Sequence, residues 1–419
     1  MFNATAETVE LGGRVIVVAD RAQGKTYPER FEALGLQERT RYMPLGSPRD
    51  ILRGLCPYLL PFTRSGRHAY KGLVRILSSP HLRTLSFRRR MKALVQSRLL
   101  VEDSFDLLHA HYLIGAYEFL PVARFLNIPL LTTFHGLPVK ETGPELGGEK
   151  AAELFHAGSL FLINTRFAQR QLIGLGCPEE KTRILPQGLR LVDFPYCPRP
   201  HPKEGPIILL TVARLSHEKG HRFAIEAVKK LRQRWPQLEY RLVGTGPEKA
   251  EIERLILESG LKDCVHLRGE LTDEGLRKEY EGAHIFILPS IHDRSGSFHT
   301  ETQGVVIQEA QASGVITVAS RTGGIPECMD DGKAGFLVQP ESSAELADKI
   351  TWLLDHPNQW EAWQRAGRAW VENHYAMEKI GKCLWDIYQE LSRAKSPRGG
   401  RDNLLRANLD GTTGPEGSG

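Results

Sequence analysis

Glu301 and Glu309 stand eight positions apart in Glu301-Thr-Gln-Gly-Val-Val-Ile-Gln-Glu309, on either side of a glycine and the opening of a helix. A ligand lying along that helix start would meet both carboxylates. Gly304 lets the backbone pass close to a bulky anion. The N–H groups of Gly304, Val305 and Val306 have no helical acceptor, and together with the helix dipole they favour a phosphate. Glu301, ahead of the helix, and Glu309, about two turns into it, can each accept hydrogen bonds from sugar hydroxyls. Two glutamates so spaced also describe a plain solvated face, so the neighbouring motifs decide. Upstream, Leu209-Leu-Thr-Val-Ala-Arg214-Leu-Ser-His-Glu-Lys219-Gly220 runs an apolar strand into Arg214 and then into Lys219 at the next helix start. Two cations at the carboxyl end of a strand suit a diphosphate, the guanidinium binding it bidentately and the ammonium acting as a point charge. Surface ion pairs are the plainer use for them. Val318-Ala-Ser-Arg-Thr-Gly-Gly-Ile-Pro-Glu327 reads as a strand end, a glycine turn and a new helix, with Pro326 near its first turn and Glu327 beside its dipole.

Three further stretches, Val243-Gly-Thr-Gly-Pro247, Val265-His-Leu-Arg-Gly269 and Leu288-Pro-Ser290, complete a series. In this order the motifs resemble those of the retaining glycosyltransferases of family 4, over roughly residues 10 to 390. The pattern is most similar to bacterial exopolysaccharide and colanic-acid-type transferases. The resemblance implies the α/β GT-B fold, in which two doubly wound Rossmann-like domains face each other across a cleft. It implies a UDP- or GDP-sugar donor and a saccharide or lipid-linked acceptor. Arg214, Lys219 and the helix start at Gly304, Val305 and Val306 would hold the diphosphate, and Glu309 the ribose. Glu301 and His135 would hold the transferred sugar, Gly136 and Gly244 would line the donor site, and the base would lie near Leu267, Arg268 and Gly269. His135-Gly136 matches the family's histidine-glycine motif, although Leu-Pro follows where relatives often continue toward an aspartate. The family implies attack on the same face as the departing diphosphate, so Glu301 is not expected to be a nucleophile. Two other readings fit the same motifs: a nucleotide-sugar epimerase of this fold, and a catalytically impaired nucleotide-sugar-binding protein.

Strands and helices alternate throughout, which predicts parallel sheets wrapped by helices. In the first half, strands are expected at Arg14–Ala19, Asp106–Ala110, Pro129–Phe134, Ser159–Asn164 and Arg183–Pro186. In the second they are expected at Ile207–Val212, Glu239–Val243, Cys264–Leu267, His284–Leu288, Val315–Ala319 and Gly335–Val338. A domain over 1–195, a proline-rich linker over 196–206 and a nucleotide-sugar-binding domain over 207–378 follow from this pattern. The resemblance implies that a last helix over 379–395 crosses back onto the first domain. Residues 396–419, rich in Gly, Pro, Asn and Arg, read as a disordered tail. His109 and His111 end one strand, and His135 follows another, so all three are expected at the cleft. The opening Met1-Phe-Asn-Ala-Thr-Ala-Glu-Thr-Val-Glu-Leu-Gly-Gly13 looks like the tail of a first helix with its glycine cap, followed at once by a second strand. By resemblance, one mid-sheet strand and most of a helix are expected ahead of it. A late annotated start or a degenerate family member would each give that pattern.

With 419 residues, 41% apolar and 25% charged, the chain can build two substantial cores. No run of about 18 apolar residues occurs and no signal peptide is evident, so the expected location is the cytoplasm. The six cysteines lack CxxC spacing, which argues against a zinc site and against a disulfide framework. Without any Asp-x-Asp, a metal-bridged diphosphate is not expected, nor is a cofactor. The net charge of +5 is concentrated over Arg83 to Arg98, which interleaves Arg and Lys with Leu85, Phe87, Met91, Leu94 and Val95. Such a helix either covers the first sheet or lies on an anionic membrane, at its inner face, where a lipid-linked acceptor would be found. No aromatic platform accompanies the charge, so nucleic acid is not expected as a partner.

Overall fold

The computed structural model describes residues 2–19, 29–42, 85–101, 104–136, 139–292 and 300–394. Its first half runs α1 (Phe2–Glu10), β1 (Val17–Ala19), α2 (Glu29–Ala33), β2 (Thr40–Tyr42), α3 (Phe87–Val101), β3 (Leu108–His111), α4 (Leu113–Leu126) and β4 (Leu130–Phe134). It continues through α5 (Val139–Ala157), β5 (Leu160–Ile163), α6 (Arg166–Gly174) and β6 (Thr182–Ile184). The second half runs β7 (Ile207–Val212), α7 (His221–Leu231), β8 (Leu238–Val243), α8 (Lys249–Glu258), β9 (Val265–Gly269), α9 (Asp273–Gly282) and β10 (Ile285–Leu288). Then follow α10 (Val305–Ala312), β11 (Ile316–Ser320), β12 (Phe336–Val338), α11 (Ser343–Asp355), α12 (Trp360–His374) and α13 (Met377–Ala394).

All described pairings are parallel, as βαβ crossovers require. The second half forms a six-stranded sheet ordered β12-β11-β10-β7-β8-β9. Helices cover both faces, so its strands are apolar throughout: every residue of Ile285-Phe-Ile-Leu288 is buried. One face packs Leu209, Tyr240 and Trp360, the other Leu210, Phe286 and Ile307. In the first half, β3-β4-β5-β6 form a four-stranded sheet, and β1 and β2 pair separately. The short β2 escapes sequence reading. After α1 the chain turns through Gly12 at φ 93°, and the Gly13 N–H donates to Thr8 O at 2.9 Å, the glycine-capped ending anticipated there.

The last helix lies on the first half, where Leu384 and Ile387 of α13 pack with Leu131, Leu160 and Leu162. The chain reaches it through a bridge between Leu189 and Ala376. The basic segment forms α3, whose Ala93 and Leu94 are buried against Val122 of α4. Two of its cations face neighbouring helices: Arg89 pairs with Glu153 at 3.3 Å and Lys92 with Glu118 at 2.9 Å. Arg83 lies outside the described residues. The expected helix after Gly323 is corrected to a single 3-10 turn, Ile325–Glu327. Five of the cysteines are free thiols, and Cys56 lies outside the described residues.

Candidate functional site

The strand ends of the second half gather the expected cations and carboxylates. Beyond β7, Arg214 is exposed and its carbonyl accepts from His221 Nε2 at 3.0 Å. No ion pair holds the Arg214 guanidinium among the described residues. Lys219, closing a 3-10 turn before α7, donates to Glu301 Oε2, and both side chains are largely covered, at 20% and 16% exposure. The other oxygen, Glu301 Oε1, accepts from the Gly304 N–H at 3.1 Å. The Gly304 N–H that the sequence offered to a phosphate is thus held by a carboxylate three residues ahead of it, as by a capping side chain. Val305 and Val306 retain first-turn N–H groups that no helical carbonyl can receive. Two turns on, Glu309 Oε2 accepts from Tyr280 OH at 2.8 Å, and burial raises the pKa of both groups.

The expected base-side residues take structural partners. The Gly244 N–H donates to Gly269 O at 2.8 Å, and a Cβ on Gly244 would come 2.0 Å from Ala213 O, directly over the exit from β7. Leu267 packs half-buried against the core. Arg268 Nε donates to the buried Glu279 at 2.7 Å, which also takes Arg241 at 3.3 Å.

From the first half, β3 and β4 bring three histidines together. Parallel register sets His111 beside Thr133 and His109 beside Leu131, so His135, one residue past β4, comes level with the end of β3. His111 Nδ1 and His135 Nε2 lie 2.8 Å apart and share a proton. His109 bonds Tyr388 OH of α13 at 2.6 Å and Thr133 Oγ1 at 2.7 Å. Burial holds all three neutral, lowering His135 to about 4, His109 to about 3 and His111, with help from its histidine neighbours, to about 2. Among the described residues no group of three or more His, Cys, Asp or Glu is placed to hold a metal ion. Tyr112, next in the chain, has φ 64° and ψ 161°. That region is essentially reserved for glycine and costs about 1–3 kcal/mol for other residues.

Between these groups the halves are joined by Glu301-Thr302-Gln303. Thr302 Oγ1 lies 3.4 Å from His135 O, and Thr302 O accepts from Thr165 Oγ1 at 2.9 Å. The Gln303 amide accepts the Gln187 N–H at 2.7 Å and donates to Gln187 O at 3.0 Å. Glu327 caps a helix of the other half rather than its own turn, accepting the N–H groups of Arg166 and Phe167 at 2.7 Å each. The two glycines before it are needed because their backbone passes beneath the Glu301 loop. A Cβ on Gly323 would come 2.1 Å from Glu301 O, and one on Gly324 2.0 Å from Thr302 O. His111 lies at the strand end where the sequence put it, but Tyr112, Gln303 and the reach of Glu327 across the seam were missed, and nothing in the sequence signals them. Most of the loop between Ser290 and Thr302 lies outside the described residues.

Two parallel α/β halves whose strand ends face one seam, with an arginine, a Lys–Glu pair and a helix start on one side and a histidine on the other, define a GT-B glycosyltransferase. The profile of "Glycosyltransferase Family 4" matches residues 1–193, and that of "Glycosyl transferases group 1" residues 198–370. The chain is 32% identical to the amylovoran biosynthesis glycosyltransferase AmsK of Erwinia amylovora, over 68% of its own length and 70% of that relative's. It therefore belongs to the retaining glycosyltransferases of family 4. It is also 29% identical to the putative colanic acid biosynthesis glycosyltransferase WcaL of Escherichia coli K12, over 62% of this chain and 64% of that one. Among solved structures, a glycosyltransferase from Rickettsia africae superimposes with a TM-score of 0.67 at 19% identity, over 93% of both chains. HepE of Anabaena, crystallised with UDP, superimposes at 0.64 and 22% identity, over 72% of this chain and 82% of that one.

Proposed function

We propose that this glycosyltransferase moves a sugar from a UDP- or GDP-sugar to a saccharide or lipid-linked acceptor, in the synthesis of a bacterial exopolysaccharide or cell-surface glycan. The exposed Arg214, for which no ion pair is found among the described residues, together with Lys219 five residues on, which reaches Glu301 just ahead of α10, carries the reading. As the bond between the sugar carbon and the phosphate oxygen breaks, negative charge grows on the departing diphosphate. Arg214, Lys219 and the N–H groups of Val305 and Val306 are the groups that meet this charge, and they stabilise the transition state more than the ground state. The acceptor oxygen bonds to the same face of the sugar, and its proton passes to the departing phosphate oxygen. Glu301 and His135 hold the transferred sugar, Glu309 the ribose, and the base lies by Leu267 to Gly269. No metal or cofactor is assigned a step.

Calorimetric titration with UDP and with GDP tests the donor site. Binding of one nucleotide, lost in Arg214→Ala, is the expected result, with transfer falling by about 10²–10³. Unchanged transfer in that variant would refute the diphosphate assignment. Binding without nucleotide release from any donor would favour the impaired-binder reading instead.

No helix among the described residues is long and apolar enough to cross a membrane. We place the enzyme in the cytoplasm, with α3 touching the inner face of an anionic membrane. Phe87, 76% exposed at the head of that helix and followed by three arginines, supports this contact. Sedimentation with anionic but not neutral liposomes, weakened in Phe87→Ala, is expected. Equal recovery with both lipids removes the membrane contact.

A further inference from the structure

The strained residue beside His135 is not among the groups assigned to the donor. Among the described residues, Tyr112 is one of three non-glycine residues with positive φ. Asn127, by contrast, sits at φ 52° and ψ 46°, the ordinary left-handed ending of a helix. Tyr112 at ψ 161° does not belong to that class. Its backbone is fully committed: the N–H donates to Thr133 O at 3.0 Å, extending the β3–β4 ladder, and the carbonyl accepts the Ala116 N–H at 3.1 Å, opening α4. A glycine would satisfy both bonds without strain. Instead the position carries a large ring, 43% exposed, with its centroid 5.1 Å from that of His135. A Cβ on Gly115 or on Gly136, on either side of this pair, would meet no described atom within 4 Å. His111 takes one edge of His135, its Nδ1 lying 2.8 Å from His135 Nε2 with the two rings within 16° of coplanar.

We infer that Tyr112 is the platform on which the acceptor sugar stacks. The inference rests on the transferase reading and extends it to the acceptor. The diphosphate-binding cations lie on the second half, and His135 touches the Glu301 loop through Thr302. The acceptor must therefore approach the transferred sugar from the side of the first half, where Tyr112 presents its ring. The apolar C–H face of a pyranose packs on an aromatic ring, and the phenol hydroxyl can bond a sugar hydroxyl. The strained backbone turns the ring out of the β3 face and into that approach. The acceptor class is a neutral pyranoside, presented at the end of a glycan or on a lipid.

The test compares the full chain with Tyr112→Gly and Tyr112→Phe, by saturation-transfer NMR against the methyl pyranosides of glucose, galactose, mannose and N-acetylglucosamine. With saturating UDP or GDP present, transfer to sugar ring protons is expected in the parent and in Tyr112→Phe, and at least a tenfold loss in Tyr112→Gly. In the matched assay, the acceptor KM is expected to rise at least tenfold. Tyr112→Gly is also expected to melt at a higher temperature, because it relieves the strain. Undiminished saturation in Tyr112→Gly, or no saturation from any pyranoside in the parent, overturns the inference. Nucleotide calorimetry on the same samples separates the two readings: absent UDP and GDP binding refutes the donor site, whereas intact nucleotide binding without sugar contact refutes the platform alone.

Discussion

Glu301 is already paired with Lys219 and with the Gly304 N–H before any sugar arrives. Glu301→Gln is expected to free the ammonium for the diphosphate and remove a nearby negative charge. Nucleotide affinity should rise a few-fold while transfer falls by about 10²–10³. Calorimetry and a release assay on one preparation would check both directions. Glu309 gives a second residue-scale expectation. Burial raises its carboxyl above the ordinary 4.5, so the folded chain holds that proton more tightly than the unfolded one. The stabilisation is full below 4.5 and is lost as pH rises through the raised folded value. Relative to Glu309→Gln, the parent should therefore lose melting temperature across that window and run level above it. The histidines have the opposite sign. Their folded values of about 3, 2 and 4 lie below the ordinary 6.5, so stability present above 6.5 drains away as pH falls toward 4. Each histidine held neutral contributes a slope of about 1.4 kcal/mol per pH unit. His109→Gln should flatten the acid limb of a pH series of thermal melts by about that amount.

At the scale of elements, every strand of the second half lies within two residues of its expected position. Buried on both faces, those strands are written as unbroken apolar runs such as Ile285-Phe-Ile-Leu288. Thr40-Arg-Tyr42 has no such run and no buried residue, and it left no readable trace. Val318 to Glu327 misled because Pro326 and Glu327 satisfy local rules for a helix start, while the two glycines are pinned under a loop some twenty residues earlier. Gly324→Ala is accordingly expected to abolish transfer and lower the melting temperature, since its Cβ would fall 2.0 Å from a backbone oxygen that cannot yield. The positions of Arg214, Lys219, Glu301 and His135 beside strand ends and helix starts were legible because each sits inside a local motif. Tyr112 and Gln303 were not, because their roles rest on partners that only folding brings near, 116 residues away in the case of Gln303.

For the whole molecule, the seam between the halves is held by a few polar contacts beside the α13 crossing. Glu327→Ala would remove two charge-assisted hydrogen bonds to the start of α6. A loss of about 1–3 kcal/mol is expected, with a larger radius of gyration by X-ray scattering in the nucleotide-free protein. The same Glu301-Thr302-Gln303 run that holds Lys219 at one end grips the Gln187 N–H at the other. Any donor that draws Lys219 away from Glu301 must tug on that grip. The Gln187 amide is thus wired as an internal gauge, and its hydrogen-exchange rate should register occupancy of a nucleotide it never touches.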